Sequence, residues 1–156
     1  MKSALKLLAC IIICLAIGGI SGIATIGGLK TWYPNLMKPS FNPPNYLFGP
    51  VWSALYALMG VSLFLILQSA KNANRSLALK VFFFQLTLNF SWSFLFFTFH
   101  WLGISFIEIL AIWSCILWMI VSFWRCNKTA ALIQIPYLLW VSFASVLNGS
   151  IWFLNS

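Results

Sequence analysis

Five stretches of this chain are long and apolar enough to cross a lipid bilayer: about 5–29, 48–68, 79–99, 101–124 and 130–154. A spanning helix needs about 20 such residues. The hydrocarbon core offers backbone groups no water, so outside a closed barrel a spanning segment must be helical. Charged residues make up only 6% of the chain, where a soluble domain carries about a quarter. The expectation is therefore an all-α membrane protein: one integral membrane domain over residues 1–156, built as a five-transmembrane-helix bundle in contact with the lipid bilayer. Lys2 and Lys6 precede the first run in the manner of a secretory signal. That run is too long for a signal core and lacks a clean A-x-A cleavage site, so it reads as a span.

The net charge of +8 comes from nine Lys and Arg against one acid, Glu108. These cations flank the apolar runs and form no soluble basic face, so no nucleic acid partner is expected. With five spans, the N-terminus lies on the same side as 71–80 and 125–128. That side holds seven cations, Lys2, Lys6, Lys71, Arg75, Lys80, Arg125 and Lys128, against Lys30 and Lys38 on the other. The positive-inside rule then puts the N-terminus in the cytoplasm, with 30–47, the His100 turn and the C-terminus outside. A bacterial inner membrane is the expected setting. Of the four cysteines, Cys10, Cys14 and Cys115 fall inside apolar runs, so no disulfide framework is expected. Cys10 and Cys14 lie one turn apart, but no other Cys or His has matching spacing, so no metal site is expected.

The stretch WYPNLMKPSFNPPNYLFGPVW, residues 32–52, holds five of the six prolines. Proline cannot donate a backbone hydrogen bond and turns the residue before it away from helix. A structured proline-rich loop between helices 1 and 2 follows, too apolar in Trp32, Leu36, Phe41 and Phe48 to be a solvated linker. It reads as an ordered lid. The other connections are short: KNANR (71–75), a tight turn marked by His100 and Gly103, and RCNK (125–128).

Helical periodicity sorts the polar and aromatic residues onto faces. At about 100° per residue, Gln85, Asn89, Trp92, Phe96 and His100 fall within about 80° of arc on the third helix. Tyr137, Trp140, Ala144, Asn148, Trp152 and Asn155 share an arc on the fifth, Trp52 and Tyr56 are one turn apart on the second, and Glu108 shares a face with Ala111 and Cys115 on the fourth. Polar groups are costly in lipid, so these faces should turn inward. Gln85, Asn89 and Asn155 suit hydrogen bonds between helices as well as a ligand. The large inward aromatics gather toward the loop side, which encodes a lidded aromatic pocket. Trp101, Trp124 and Trp32 suit a lipid-interface role. An intramembrane carboxyl such as Glu108 is either functional or held between helices, and His100 is either a haem ligand or an ordinary turn residue.

The loop pattern now finds a resemblance. W-Y, L-x-K-P, P-P and F-x-P-V-W, carried by Trp32, Tyr33, Leu36, Lys38, Pro39, Pro43, Pro44, Phe48, Pro50, Val51 and Trp52, resemble the signature of the tryptophan-rich sensory protein family, also called translocator protein or peripheral-type benzodiazepine receptor. The likeness continues through YALMG (56–60), LNFSWSFLFF (88–97), IEILAIW (107–113) and IPYLLWVSFASVLNGSIWFLN (135–155). It implies a five-helix bundle with a pocket under the first loop that binds porphyrins, haem and synthetic benzodiazepine-type and isoquinoline ligands. Carried over, the pocket would use Tyr33 and Pro43 from the loop, and Trp52, Tyr56, Trp92, Phe96, Glu108, Trp140, Phe143, Ala144 and Leu147 from the helices. Asn89 joins them from its face, and Lys38 would meet ligand propionates at the mouth. The chain departs from the pattern at FFTFHWLG, where an Arg- and Asn-bearing connection is expected, and it has no basic cholesterol-recognition segment after the fifth helix.

Three functional readings follow. The first is an integral membrane receptor or sensor that binds porphyrin, haem or another planar hydrophobic ligand and contributes to tetrapyrrole transport or regulation. No resident cofactor is required. The second is light-dependent porphyrin degradation with Trp52 and Trp140 as catalytic residues, as the resemblance implies. No base–nucleophile pair points to hydrolytic or acid–base chemistry, so the chain is not expected to be an enzyme of that kind. The third is a non-catalytic lipid- or sterol-binding or assembly protein. The G-x-x-x-G pair Gly18 and Gly22 suits close helix packing, either within the bundle or in a homodimer.

Overall fold

A computed structural model describes residues 2–156, with only the backbone of Lys2; the domain start at Met1 and the Lys2 side-chain charge lie outside the described residues. Helix α1 spans Lys2–Thr31, α2 Phe48–Gln68, α3 Ala73–Phe97, α4 Leu102–Trp124, α5 Lys128–Leu132 and α6 Ile135–Leu154. The last two form one span, Lys128–Leu154, so five helical segments are long and apolar enough to cross a membrane. Two 3₁₀ turns, Tyr33–Asn35 and Asn45–Leu47, lie between α1 and α2. Among the described residues there is no strand.

The boundaries differ from the apolar runs where capping chemistry intervenes. Helix α3 begins at Ala73, well before the apolar run at 79, because the Asn72 side chain accepts the Arg75 N–H at 3.0 Å. Apolarity marks the part of a helix in lipid, whereas the cap marks where the helix starts. The fifth span breaks between Leu132 and Ile135, because Pro136 has no N–H to continue the ladder. Gln134, buried at the break, ties it to α2: its Nε2 donates to Ser62 Oγ at 2.7 Å, and Ser62 Oγ donates to the Ala130 carbonyl at 3.0 Å. In the α3–α4 turn it is His100 that takes the left-handed conformation, at φ 59°. Gly103, expected to mark that turn, lies inside α4 against the Trp152 indole.

The helices pack in a ring: α1 against α2 and α3, α3 against α4, α4 against α6 and α5, and α5 against α2. The loop of 32–47, the His100 turn and the C-terminus share one end of the bundle, here the loop end. Helices α1 and α2 touch backbone to backbone toward the opposite end. A Cβ on Gly60 would lie 2.5 Å from Ile11 Cα and 2.9 Å from the Cys10 carbonyl. One turn or so closer to the loop end, Gly18 leaves room for the Tyr56 ring, which a Cβ there would overlap. Small residues permit this approach in lipid, where packing rather than hydrophobicity draws helices together.

Gly60→Leu should therefore part α1 from α2. Overpacking against backbone costs about 3 kcal/mol or more, roughly a 6–12 °C fall in melting temperature in detergent. Gly27→Ala, where nothing lies within 4 Å of the new methyl, should be neutral or stabilising by about 0.5–1 kcal/mol. Equal melting temperatures for the two variants would rule out the backbone contact.

Candidate functional site

A cavity of about 290 Å³ lies in the loop-end half of the bundle, among α1, α2, α3 and α6. Its lower boundary is a chain of side-chain hydrogen bonds. Tyr56 Oη donates to Asn89 Oδ1 at 2.5 Å, Asn89 Nδ2 donates to Tyr137 Oη at 2.6 Å, and Tyr137 Oη donates to Gln85 Oε1 at 3.0 Å. This chain links α2, α3 and α6 at one depth, and all four residues are buried. It settles Gln85 and Asn89 as hydrogen-bonding partners between helices, with Asn89 also at the cavity surface.

The walls are aromatic. Trp52 packs edge-on to Tyr137 at 6.2 Å, and Phe48 meets Trp140 edge-on at the same separation. Trp92 stacks on Phe96 at 5.1 Å, and its Nε1 donates to the Ser105 carbonyl at 3.0 Å and to Asn148 Oδ1 at 3.2 Å, which fixes the ring. Trp140 differs: its Nε1 is buried and has no partner. An unpaired donor in a lipid-embedded core is costly, and this one is sealed from the cavity space as well.

Tyr33 forms the roof. It is 2% exposed and packs against Phe48, Phe96 and Phe97. Burial pushes its hydroxyl up to about 12, so it stays protonated and donates to Asn42 Oδ1 at 2.5 Å. The segment that carries it is cross-linked by side chains. Lys38 Nζ donates to the carbonyls of Tyr33, Pro34 and Leu36 at 2.9, 3.1 and 2.7 Å, which uses all three of its N–H groups. Asn155, at the end of α6, clasps Met37: its Oδ1 accepts the Met37 N–H at 3.0 Å and its Nδ2 donates to the Met37 carbonyl at 2.9 Å. Trp32 stacks on His100 at 4.1 Å.

Of the residues expected at the site, Tyr33, Trp52, Tyr56, Asn89, Trp92, Phe96, Trp140, Ala144 and Leu147 border the cavity; Lys38, Pro43, Phe143 and Glu108 do not. Lys38 is committed to loop carbonyls and has no N–H left for a propionate. Pro43 sits in the outer part of the loop, where its carbonyl accepts from Asn42 Nδ2. Phe143 packs behind the wall, between Phe41 and Trp140. Glu108 lies between α3 and α4, where its Oε1 accepts from Ser91 Oγ at 2.6 Å. Ser91 is two residues, about 200°, from Asn89, so it faces away from the cavity. His100 is exposed and holds Trp32 instead of facing the cavity, and Trp32 is half-buried under it, not spread at a lipid interface. Trp101 and Trp124 are exposed. Among the described residues no group of His, Cys, Asp or Glu is placed to hold a metal.

Helix α1 contributes residues that were not expected at the site. Gly18, Ser21 and Thr25 border the cavity, and Thr25 Oγ1 reaches Ser93 Oγ at 3.4 Å. Small residues repeating every three to four positions, 18, 21, 22 and 25, were the available signal.

Comparison with known proteins places this architecture. The model of the TspO/MBR family matches residues 10–153. The chain is 41% identical over 152 residues to a tryptophan-rich protein TspO of Archaeoglobus fulgidus, covering 97% of this chain and 98% of that one. It is 32% identical over 127 residues to the human translocator protein, covering 80% and 75%. It is 30% identical over 135 residues to a tryptophan-rich sensory protein of Cereibacter sphaeroides, covering 85% and 84%.

If Lys38 is the internal tie of the loop, Lys38→Met should loosen it without unfolding the bundle. Charge-assisted hydrogen bonds are worth about 1.5–3 kcal/mol, so amide exchange at Asn35, Leu36 and Met37 should rise roughly 10- to 150-fold. Unchanged exchange there would show that the lysine is dispensable to the loop.

Proposed function

The chain belongs to the TspO/MBR family, and on that premise we propose that it is a membrane receptor or sensor for porphyrins, haem and related planar apolar ligands. The ligand occupies the cavity beneath Tyr33, and its binding serves tetrapyrrole transport or regulation. The names of the relatives, a sensory protein and a translocator, support a receptor or carrier role. The observation that carries the reading is the aromatic wall of Trp52, Trp92, Phe96 and Trp140 around the cavity. A flat macrocycle would gain stacking on indole and phenyl faces. No resident cofactor takes part. The protein works in the bilayer, alone or as a homodimer. It sits in a bacterial inner membrane with its N-terminus in the cytoplasm, a placement supported by the seven cations on that side.

A second reading, light-driven porphyrin loss, is favoured by one observation: Trp52 and Trp140, the two tryptophans suited to it, both border the same cavity.

Titration of detergent-solubilised protein with protoporphyrin IX, in the dark and in light, separates the readings. Tryptophan quenching reports binding and the Soret band reports loss. Trp52→Phe and Trp140→Phe should each weaken binding by about 0.5–1.5 kcal/mol, roughly 2- to 13-fold. Trp124→Phe, which removes an exposed ring at the opposite end, should match wild type. If the Trp52 and Trp140 variants bind as the Trp124 variant does, the site assignment fails. Affinity loss with no light-driven porphyrin loss in any protein favours the receptor. Light-driven loss that falls far more than affinity does favours the enzyme. No binding by wild type leaves the lipid-binding or assembly role.

Orientation has its own test. In a Cys-free background, Asn42→Cys should react with an impermeant maleimide from outside the cell and Asn74→Cys should not. The reverse pattern would invert the protein in the membrane.

A further inference from the structure

The roof of the cavity is tied down at its start and near its middle, by Trp32 on His100, Lys38 on three carbonyls and Asn155 on Met37. A ligand that came in beneath it would have to break several of these contacts. One side of the cavity is built differently. Helices α1 and α2 are in backbone contact at Gly60 and in ring contact at Gly18–Tyr56, but a turn further toward the loop end the contact stops. Nothing lies within 4 Å of a Cβ built on Gly22, which shares the α2-facing side of α1 with Gly18, or on Gly49 at the start of α2. The two helices thus diverge as a V that opens toward the loop. The residues on its two arms, Gly22 and Ile26 on α1 and Gly49 and Ser53 on α2, border the cavity, and Ile26, Gly49 and Ser53 are also exposed on the outer surface of the bundle. A residue that is both cavity lining and bundle exterior marks an opening, and this one faces the hydrocarbon within the membrane spans Ser3–Thr31 and Asn45–Gln68.

We propose that this V is a lateral portal through which the ligand passes between the cavity and the bilayer, with the loop of 32–47 staying closed. The inference rests on the proposed ligand-binding role of the cavity. It narrows the ligand class to molecules that partition into the membrane and present a thin edge to the slot, as a planar macrocycle does. The absence of side chain at Gly22 and Gly49 keeps the slot open.

The test uses full-length protein in lipid nanodiscs, with protoporphyrin IX followed by stopped-flow tryptophan quenching. Gly22→Leu and Ser53→Leu narrow the slot from its two sides, into space that is open. A portal lies on the path in both directions, so its obstruction must slow both entry and exit, and any loss of affinity from crowding the cavity lining shows separately as a change in the ratio of the two rates. Entry and exit should both slow by about tenfold or more, a large effect against the usual spread of association rates among variants of one site. Asn155→Ala, which removes the side-chain hydrogen bonds that hold Met37 to the end of α6, should change neither rate. Unchanged rates in Gly22→Leu and Ser53→Leu, or faster entry in Asn155→Ala, would overturn the portal and put the path beneath the loop. A ligand-free measurement keeps the two ideas separable. Brominated acyl chains should quench Trp52, read as the difference between wild type and Trp52→Phe, and Gly22→Leu should abolish that quenching. Quenching without porphyrin binding would retain the portal and sink the porphyrin reading. Absent quenching in wild type would sink the portal even where porphyrin binds.

Discussion

A bilayer interior gives polar groups no water, and the arrangement of this bundle follows from how few partners it has to offer them. The hydrogen-bond chain from Tyr56 through Asn89 and Tyr137 to Gln85 pairs four buried side chains with one another. It holds α2, α3 and α6 at a common depth. Tyr56 can take part only because Gly18 lets its ring lie flush against α1. Toward the end opposite the loop, the Gly60 contact and the Gln134–Ser62 pair draw α1, α2 and the fifth span together. Toward the loop no comparable polar link joins α2 to α6 among the described residues, and aromatic rings hold the helices apart. The cavity is the space above the last level at which α2 is tied to α6.

The roof obeys the same constraint with different chemistry. Five prolines in 32–52 remove backbone donors, but the carbonyls remain and need partners. Lys38 supplies three from a single ammonium, and its charge is spread over carbonyl dipoles and the face of Tyr33, 5.3 Å from Nζ. Asn155 does for Met37 what a neighbouring strand would do, pairing both its N–H and its carbonyl. The roof is therefore ordered by its own contacts and by α6. A ligand need not order it, and the entropy that ordering would cost is not charged against binding.

These features divide by what a sequence can carry. Span number was legible because lipid thickness sets the length of an apolar run. The faces of α3 and α6 were legible because periodicity fixes which residues of one helix point the same way, and Asn89, Trp92 and Phe96 do converge on the cavity. Periodicity does not say what stands opposite. Glu108 was expected on an inward face, yet it is half-buried beside an exposed Ala111, and its partner is Ser91, on the far side of α3 from Asn89. Lys38 read as a free cation because its acceptors are backbone carbonyls, which leave no mark in a sequence. The share of α1 in the site was hidden for a related reason: Gly18 and Gly22 act by what they lack. The break at Pro136 was in plain view, but an apolar run continues across a proline without interruption.

The aromatic wall has a consequence for what the cavity will hold. An opening toward hydrocarbon exposes the cavity to acyl chains, which vastly outnumber any other apolar solute in a membrane. An acyl chain can fill the volume and touch the rings, but it is flexible, and holding it there costs rotamer freedom. The floor adds no polar reward for it, because Tyr56, Asn89 and Tyr137 already bond one another. A rigid planar ligand has little freedom to lose and stacks on the rings of Trp52, Trp92, Phe96 and Trp140. Each such pair is worth about 0.5–1.5 kcal/mol beyond the area it buries. By this argument the flatness and rigidity of the ligand, matched to the aromatic wall, set the selectivity of the site against the lipid that is always present.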